Sequence, residues 1–175
     1  MTKKIILSVL YIFLFLPLTG FCGVKYFEKS DDFSDGITYG LSIPSYKGNN
    51  GDLGINTGMI VVACVPERGL MVQFVTKDTI PPDPGRTTEL NLHRVSITSK
   101  FDQEKNAQID DWYMNYLRHQ HAGYKGNVLQ FTKNIAKSYT LIIRFNRRGD
   151  ILKFSLKDTA KHIQKILNKC SKENP

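Results

Sequence analysis

What this sequence lacks first is a catalytic signature. It contains no Gly-x-Ser-x-Gly elbow, no Walker loop and no His-Glu-x-x-His. Those absences remove the nucleophile-elbow hydrolases, the P-loop nucleotide enzymes and the zinc peptidases that the motifs serve. No internal repeat or low-complexity segment occurs, so a stacked-repeat architecture is excluded. Acid is scarce in the second half. Residues 112–175 hold three Asp/Glu against thirteen Lys/Arg, whereas residues 24–111 hold thirteen against nine. No nucleic-acid-binding motif accompanies that basic half, which sets this partner class aside. An anionic surface remains: phospholipid, lipopolysaccharide, a teichoic polymer or an acidic protein. The bland alternative is a solvated helix face that balances the acidic half.

The first 22 residues read as an address. Lys3-Lys4 is a positive opening, Ile5 to Leu18 is almost wholly apolar with Pro17 near its end, and Leu18-Thr19-Gly20-Phe21-Cys22-Gly23 supplies small residues for cleavage. Cutting after Cys22 places Gly20 and Cys22 at the two positions that must be small. Phe21 fits poorly with a lipoprotein signal. The competing reading is an uncleaved anchor, since Ile5–Cys22 approaches the length of a membrane span. The expected organisation is a signal peptide over 1–22 and one exported domain over 23–175, periplasmic or secreted, with no transmembrane span once the signal is removed. Two of the three cysteines, Cys64 and Cys170, belong to that domain. In an oxidising compartment an even pair is expected to be bridged rather than to form two separate buried thiols. A loop that long restricts the unfolded chain by about 4–5 kcal/mol in the entropic account.

Along the domain, Val24–Phe33 reads as an edge segment, and Ile37–Ile43 as a strand stopped by Pro44. Ser45–Gly58, rich in Gly and Asn, reads as an exposed loop. Met59–Val65 and Leu70–Val75 form a hairpin about Pro66-Glu67-Arg68-Gly69. Its near-continuous apolar run predicts burial on both faces. The prolines of Ile80–Gly85 forbid regular structure, and Leu90–Phe101 alternates as a strand does. Ala107–Tyr124 fits a helical face or strands with aromatic pairs. Asn127 is an N-cap for a helix over Val128–Lys137 with Leu129, Phe131 and Ile135 inward and Val128 a further candidate for that face. Tyr139–Phe145 and Ile151–Leu156 make a second hairpin. A helix from about Lys157 to Lys169 places Ala160, Ile163, Ile166, Leu167 and Cys170 on one side and lysines on the other. The expected fold is α+β: a mainly antiparallel β-sheet or small β-sandwich with a short helix and a C-terminal helix, tied by one disulfide.

Candidate chemistry is thin. His119-Gln120-His121 offers two metal ligands, but no third lies at ligand spacing, and a polar loop explains the pair. Asp110-Asp111 before Trp112 has the composition of a sugar site. Neighbouring strand residues point to opposite faces, however, so the two acids do not converge. Cys64 has no basic neighbour to activate it. No cofactor and no catalytic residue are expected. The remaining candidate is a basic face: Arg147 and Arg148 in the second hairpin's turn, with Arg144 and Lys153 placed to meet across the strands. Ordinary turn solubility explains the same charges.

The order of features resembles an exported family associated with bacterial type VI secretion, the TagO/VasI kind. The resemblance rests on the leader, Ser30-Asp31-Asp32-Phe33-Ser34-Asp35 before Ile37–Ile43, Cys64 followed by Leu70–Val75, and Trp112 in mid-chain. It continues through Val128–Lys137, Leu141–Arg144, Phe154-Ser155-Leu156, and Ala160, Ile163, Leu167 and Cys170. It departs at Tyr26, where the family has Trp, and at Asn127–Phe131, which is shifted. The resemblance implies a non-enzymatic accessory of the cell envelope that binds a protein or an anionic envelope component. The alternative is an inhibitor or immunity protein against a secreted toxin or lysozyme-like enzyme, inserting Ser45–Gly58 or Thr79–Gly85. An enzyme acting on cell-wall glycan through Asp110 or Asp111 is the third class.

Overall fold

β-branched and aromatic runs, cut by Gly, Pro and Asn turns, build nine strands and two helices among the residues described. The computed structural model describes residues 23–31, 34–46, 58–76, 80, 82–83, 92–115, 120–145 and 151–173. In chain order these are β1 (Lys25–Asp31), β2 (Ser34–Tyr46), β3 (Gly58–Val65), β4 (Gly69–Thr76), β5 (Leu92–Phe101), β6 (Gln108–Asn115), β7 (His121–Tyr124), α1 (Val128–Lys137), β8 (Thr140–Phe145), β9 (Ile151–Ser155) and α2 (Thr159–Glu173). The leader expected over 1–22 and most of the Ser45–Gly58 and Thr79–Gly85 loops fall outside the described residues.

The paired strands are all antiparallel, and they run β2-β3-β4-β7-β6-β5-β8-β9 before β9 returns to β2. This is a closed eight-stranded barrel, which corrects the expected sandwich. A sandwich needs two separate sheets. Here β2 is thirteen residues long and serves two partners along one edge. Its first part pairs with β1 as far as Lys25↔Ser42, and its end pairs with β9 through Ser45↔Phe154 and Tyr46↔Lys153. The second pairing closes the sheet, and β1 lies on β2 as an added edge strand. Pro44, expected to stop this strand, sits where one partner gives way to the other. A break in pairing is where a residue without an N–H is tolerated.

Inward strand positions and the apolar faces of both helices share one core, from Leu41, Ile60, Phe74, Ile97 and Trp112 to Phe131, Ile135, Ile163 and Ile166. Helix α1 begins at the expected residue because the Asn127 side chain accepts from Gln130 N–H at 2.9 Å. Its buried residues are Phe131, Thr132 and Ile135, whereas Leu129 is 46% exposed, so the inward face is rotated from the one expected. Helix α2 starts at Thr159, two residues later than expected. Asp158 takes a left-handed conformation (φ 66°), and the Thr159 hydroxyl donates to the Leu156 carbonyl at 2.8 Å, holding a turn there.

Cys64 and Cys170 form a disulfide, with Cα atoms 5.4 Å apart and a sequence separation of 106. It fixes α2 onto the inner side of β3. β1 grips the same helix by polar contacts. Lys165 Nζ bonds Glu28 at 2.8 Å and lies 4.2 Å from the centre of the Tyr26 ring, while His162 stacks on Tyr26 at 5.5 Å. The lysine bond holds the Glu28 carboxyl below its ordinary value. The expected edge role of β1 is therefore real, and two lysines of α2 are engaged rather than merely solvated: Lys165, and Lys169 over Tyr39.

Candidate functional site

Strand alternation and register decide which charges share a surface. Along β5, Val95, Ile97, Ser99 and Phe101 are buried, so Arg94, Ser96, Thr98 and Lys100 point outward. Along β8, Leu141, Ile143 and Phe145 are buried, leaving Ile142 and Arg144 outward. Leu152 and Phe154 of β9 are buried, leaving Ile151 and Lys153 outward. Two adjacent outer rows follow from the pairing. One is Ile109–Thr98–Arg144–Ile151 across β6, β5, β8 and β9, and the next is Lys100–Ile142–Lys153 across β5, β8 and β9.

Arg144 and Lys153 thus share the outer face, as the alternation predicts. They are diagonal neighbours rather than opposite ones, because Arg144 pairs with Ile151 and Lys153 with Ile142. Diagonal positions lie about 7–8 Å apart, which relieves the repulsion a direct pair of cations would carry. Arg147 and Arg148 lie outside the described residues. Lys100 is a third cation on this face and was missed in the sequence. Its phase along β5 was legible; its proximity to Arg144 was not, since it depends on β5 pairing with β8. Among the described residues no carboxylate bonds Lys100, Arg144 or Lys153.

Two acids lie at the Arg94 end of this wall, and Asp102 lies just beyond Lys100, where its carboxylate accepts from the Tyr139 and Thr140 N–H groups. Asp111 is salt-bridged to Arg94. Asp83 lies along the edge of β5 that β8 leaves open before Ile97. Its N–H donates to the Arg94 carbonyl at 2.9 Å, and its carboxylate accepts from Ser96 N–H at 3.0 Å and from the Ser96 hydroxyl at 2.6 Å. Exposed aliphatic side chains bracket the cations: Ile109 is 71% exposed and Ile151 45%.

Asp110 and Asp111 face opposite ways, as adjacent strand residues must. Asp110 is opposite Ile97 on the inner side, where the Ser99 hydroxyl donates to one carboxylate oxygen and the Tyr124 phenol to the other at 3.3 Å. Burial, then the Asp110 charge, pushes the Tyr124 phenol up to about 12. Trp112 is fully buried and packs edge-on against Tyr124 and Phe131, with ring centres 5.2 and 5.9 Å away. These residues form an inner polar–aromatic packing unit beside the start of α1. His121 belongs to β7 opposite Val75, and His119 lies outside the described residues. Among the described residues no three His, Cys, Asp or Glu side chains come together, and no helix is long and apolar enough to cross a membrane.

The chain matches no protein-family model, no curated protein and no solved structure.

Proposed function

We propose that the protein is a non-enzymatic, exported binding protein of the bacterial cell envelope, periplasmic and of the kind that accompanies type VI secretion. The observation that carries this reading is the outer wall of β5, β8 and β9, which presents Lys100, Arg144 and Lys153 together with no carboxylate on them among the described residues. Like charges gathered without partners cost stability unless solvated or bound, and an anionic envelope component is the ligand they fit. The Cys64–Cys170 bridge supports an oxidising compartment. Asp110 bonds inward to Ser99 and Tyr124 and Asp111 outward to Arg94, so the two acids do not converge on one cleft.

The test is a pull-down from envelope extracts with the tagged protein at low and moderate salt. A salt-sensitive envelope component, lost on reversing Arg144 and Lys153, is the expected result. A stoichiometric, salt-resistant complex with one secreted enzyme overturns it in favour of an inhibitor or immunity protein.

A further inference from the structure

Given the envelope-binding role proposed above, on which this step rests, we infer that the outer wall of β5, β6, β8 and β9 binds the anionic headgroups of a phospholipid bilayer. Lys100, Arg144 and Lys153 take the phosphates, and Ile109 and Ile151 enter the headgroup layer.

Three features favour lipid over an acidic protein. The wall is the outside of a closed barrel, and β5 and β8 each have a paired strand on both sides, so a partner segment cannot add itself as a further strand there. The cations form a triangle rather than a line. Arg144 is diagonal to both Lys100 and Lys153, which stand two strands apart, about 10 Å. Such a triangle meets several headgroups at once and needs no groove. The cations are also flanked by exposed isoleucines on a single row, Ile109 and Ile151, separated by three strand spacings or about 14 Å. An acidic protein surface gives those side chains nothing to enter, whereas the boundary of headgroups and acyl chains does. The long Lys and Arg stems let the charges reach phosphates while their methylenes lie along the apolar boundary. Among the described residues the carboxylates nearest the wall are held elsewhere: Asp83 on Ser96, Asp111 on Arg94, and Asp102, beyond Lys100, on the Tyr139 and Thr140 N–H groups.

The experiment is sedimentation with vesicles of phosphatidylcholine containing phosphatidylglycerol, compared with phosphatidylcholine alone. Wild type, Lys100→Glu/Arg144→Glu/Lys153→Glu and Ile109→Ser/Ile151→Ser are compared with the same N-terminus, so the processing state of the leader cancels. Each cation near an anionic bilayer contributes about fivefold in binding, so removing three costs roughly hundredfold. The triple variant is expected to lose at least that much on anionic vesicles, and the isoleucine variant to lose a smaller part that salt does not alter. A milder Lys100→Gln/Arg144→Gln/Lys153→Gln chain with unchanged circular dichroism separates loss of binding from loss of fold. Equal binding to the two vesicle types, or undiminished binding by the triple variant, overturns the lipid assignment. If the same wall captures a salt-sensitive acidic protein and no vesicles, the envelope role stands and lipid is wrong. If it captures neither, both fall.

Discussion

The barrel has two outer walls built from similar strands, and they meet their surroundings in opposite ways. On β3 the outward residues Met59, Val61, Ala63 and Val65 are as buried as the inward ones, and Phe27, Met71 and Val75 pack against them in a second apolar cluster. The end of the Phe27 ring reaches over Gly40 of β2 because Gly40 has no side chain: a Cβ there would stand 2.1 Å from it. On β5, β8 and β9 the outward residues are cations, a threonine and isoleucines in or near solvent. The difference follows from sequence period. A continuous apolar run gives a strand two dry faces, and alternation gives it one dry face and one wet face. Of the two, the basic wall is therefore the one open to solvent.

The same substitution on both walls should give the largest contrast. Val61→Lys places an unpaired charge on the dry wall and is expected to cost about 3–5 kcal/mol. Ile109→Lys on the wet wall should change stability by no more than about 0.5 kcal/mol. Urea unfolding of the two variants decides the matter, and equal losses would mean that the walls do not differ. Removing the bridge that anchors the dry-wall strand to α2, as Cys64→Ser/Cys170→Ser, should cost about 2–5 kcal/mol in the same assay. Intact mass of the folded, unreduced protein should show no alkylatable thiol at either position. Gly40→Ala forces Phe27 off β2 and should cost about 1–3 kcal/mol; paired with Phe27→Ala, most of that penalty should disappear. The effect confined to strongly alkaline solution belongs to Tyr124, behind the wet wall. The fold keeps its proton between the ordinary 10.0 and about 12 while the unfolded chain gives it up. Its effect on stability is therefore absent below pH 10, and stability falls as pH rises toward 12. The late phase of tyrosinate absorbance should vanish in Tyr124→Phe; a late phase that persists would assign it to another tyrosine.

Local features of this fold could be read from the sequence, and distant ones could not. Asn127 fixed the first residue of α1, and the apolar run at Met59–Val65 announced burial on both faces of β3. The bridge followed from the cysteine count and the compartment expected from the leader. Barrel closure did not follow, because Ser45↔Phe154 joins strands from opposite ends of the domain and nothing local to either marks the other. The same limit applied to the candidate site. Arg144 and Lys153 were found by alternation within one hairpin. Lys100 became visible only when β5 paired with β8. Leu129 was misplaced because Thr132, a polar residue, takes a place on the inner face of α1.

Both links that close the molecule are late in time as well as distant in space. A chain is made from its amino end. β2 and Cys64 therefore exist long before their partners in β9 and α2, with Cys170 arriving 106 residues after Cys64. Through that interval β2 has an edge still waiting for β9, and Cys64 on the apolar strand β3 is a free thiol. Sheets whose pairings span the whole chain form slowly, and such half-made edges are where aggregation starts. A chain halted before Ile151 has neither closure, so its survival depends on something else holding it open until the last helix arrives.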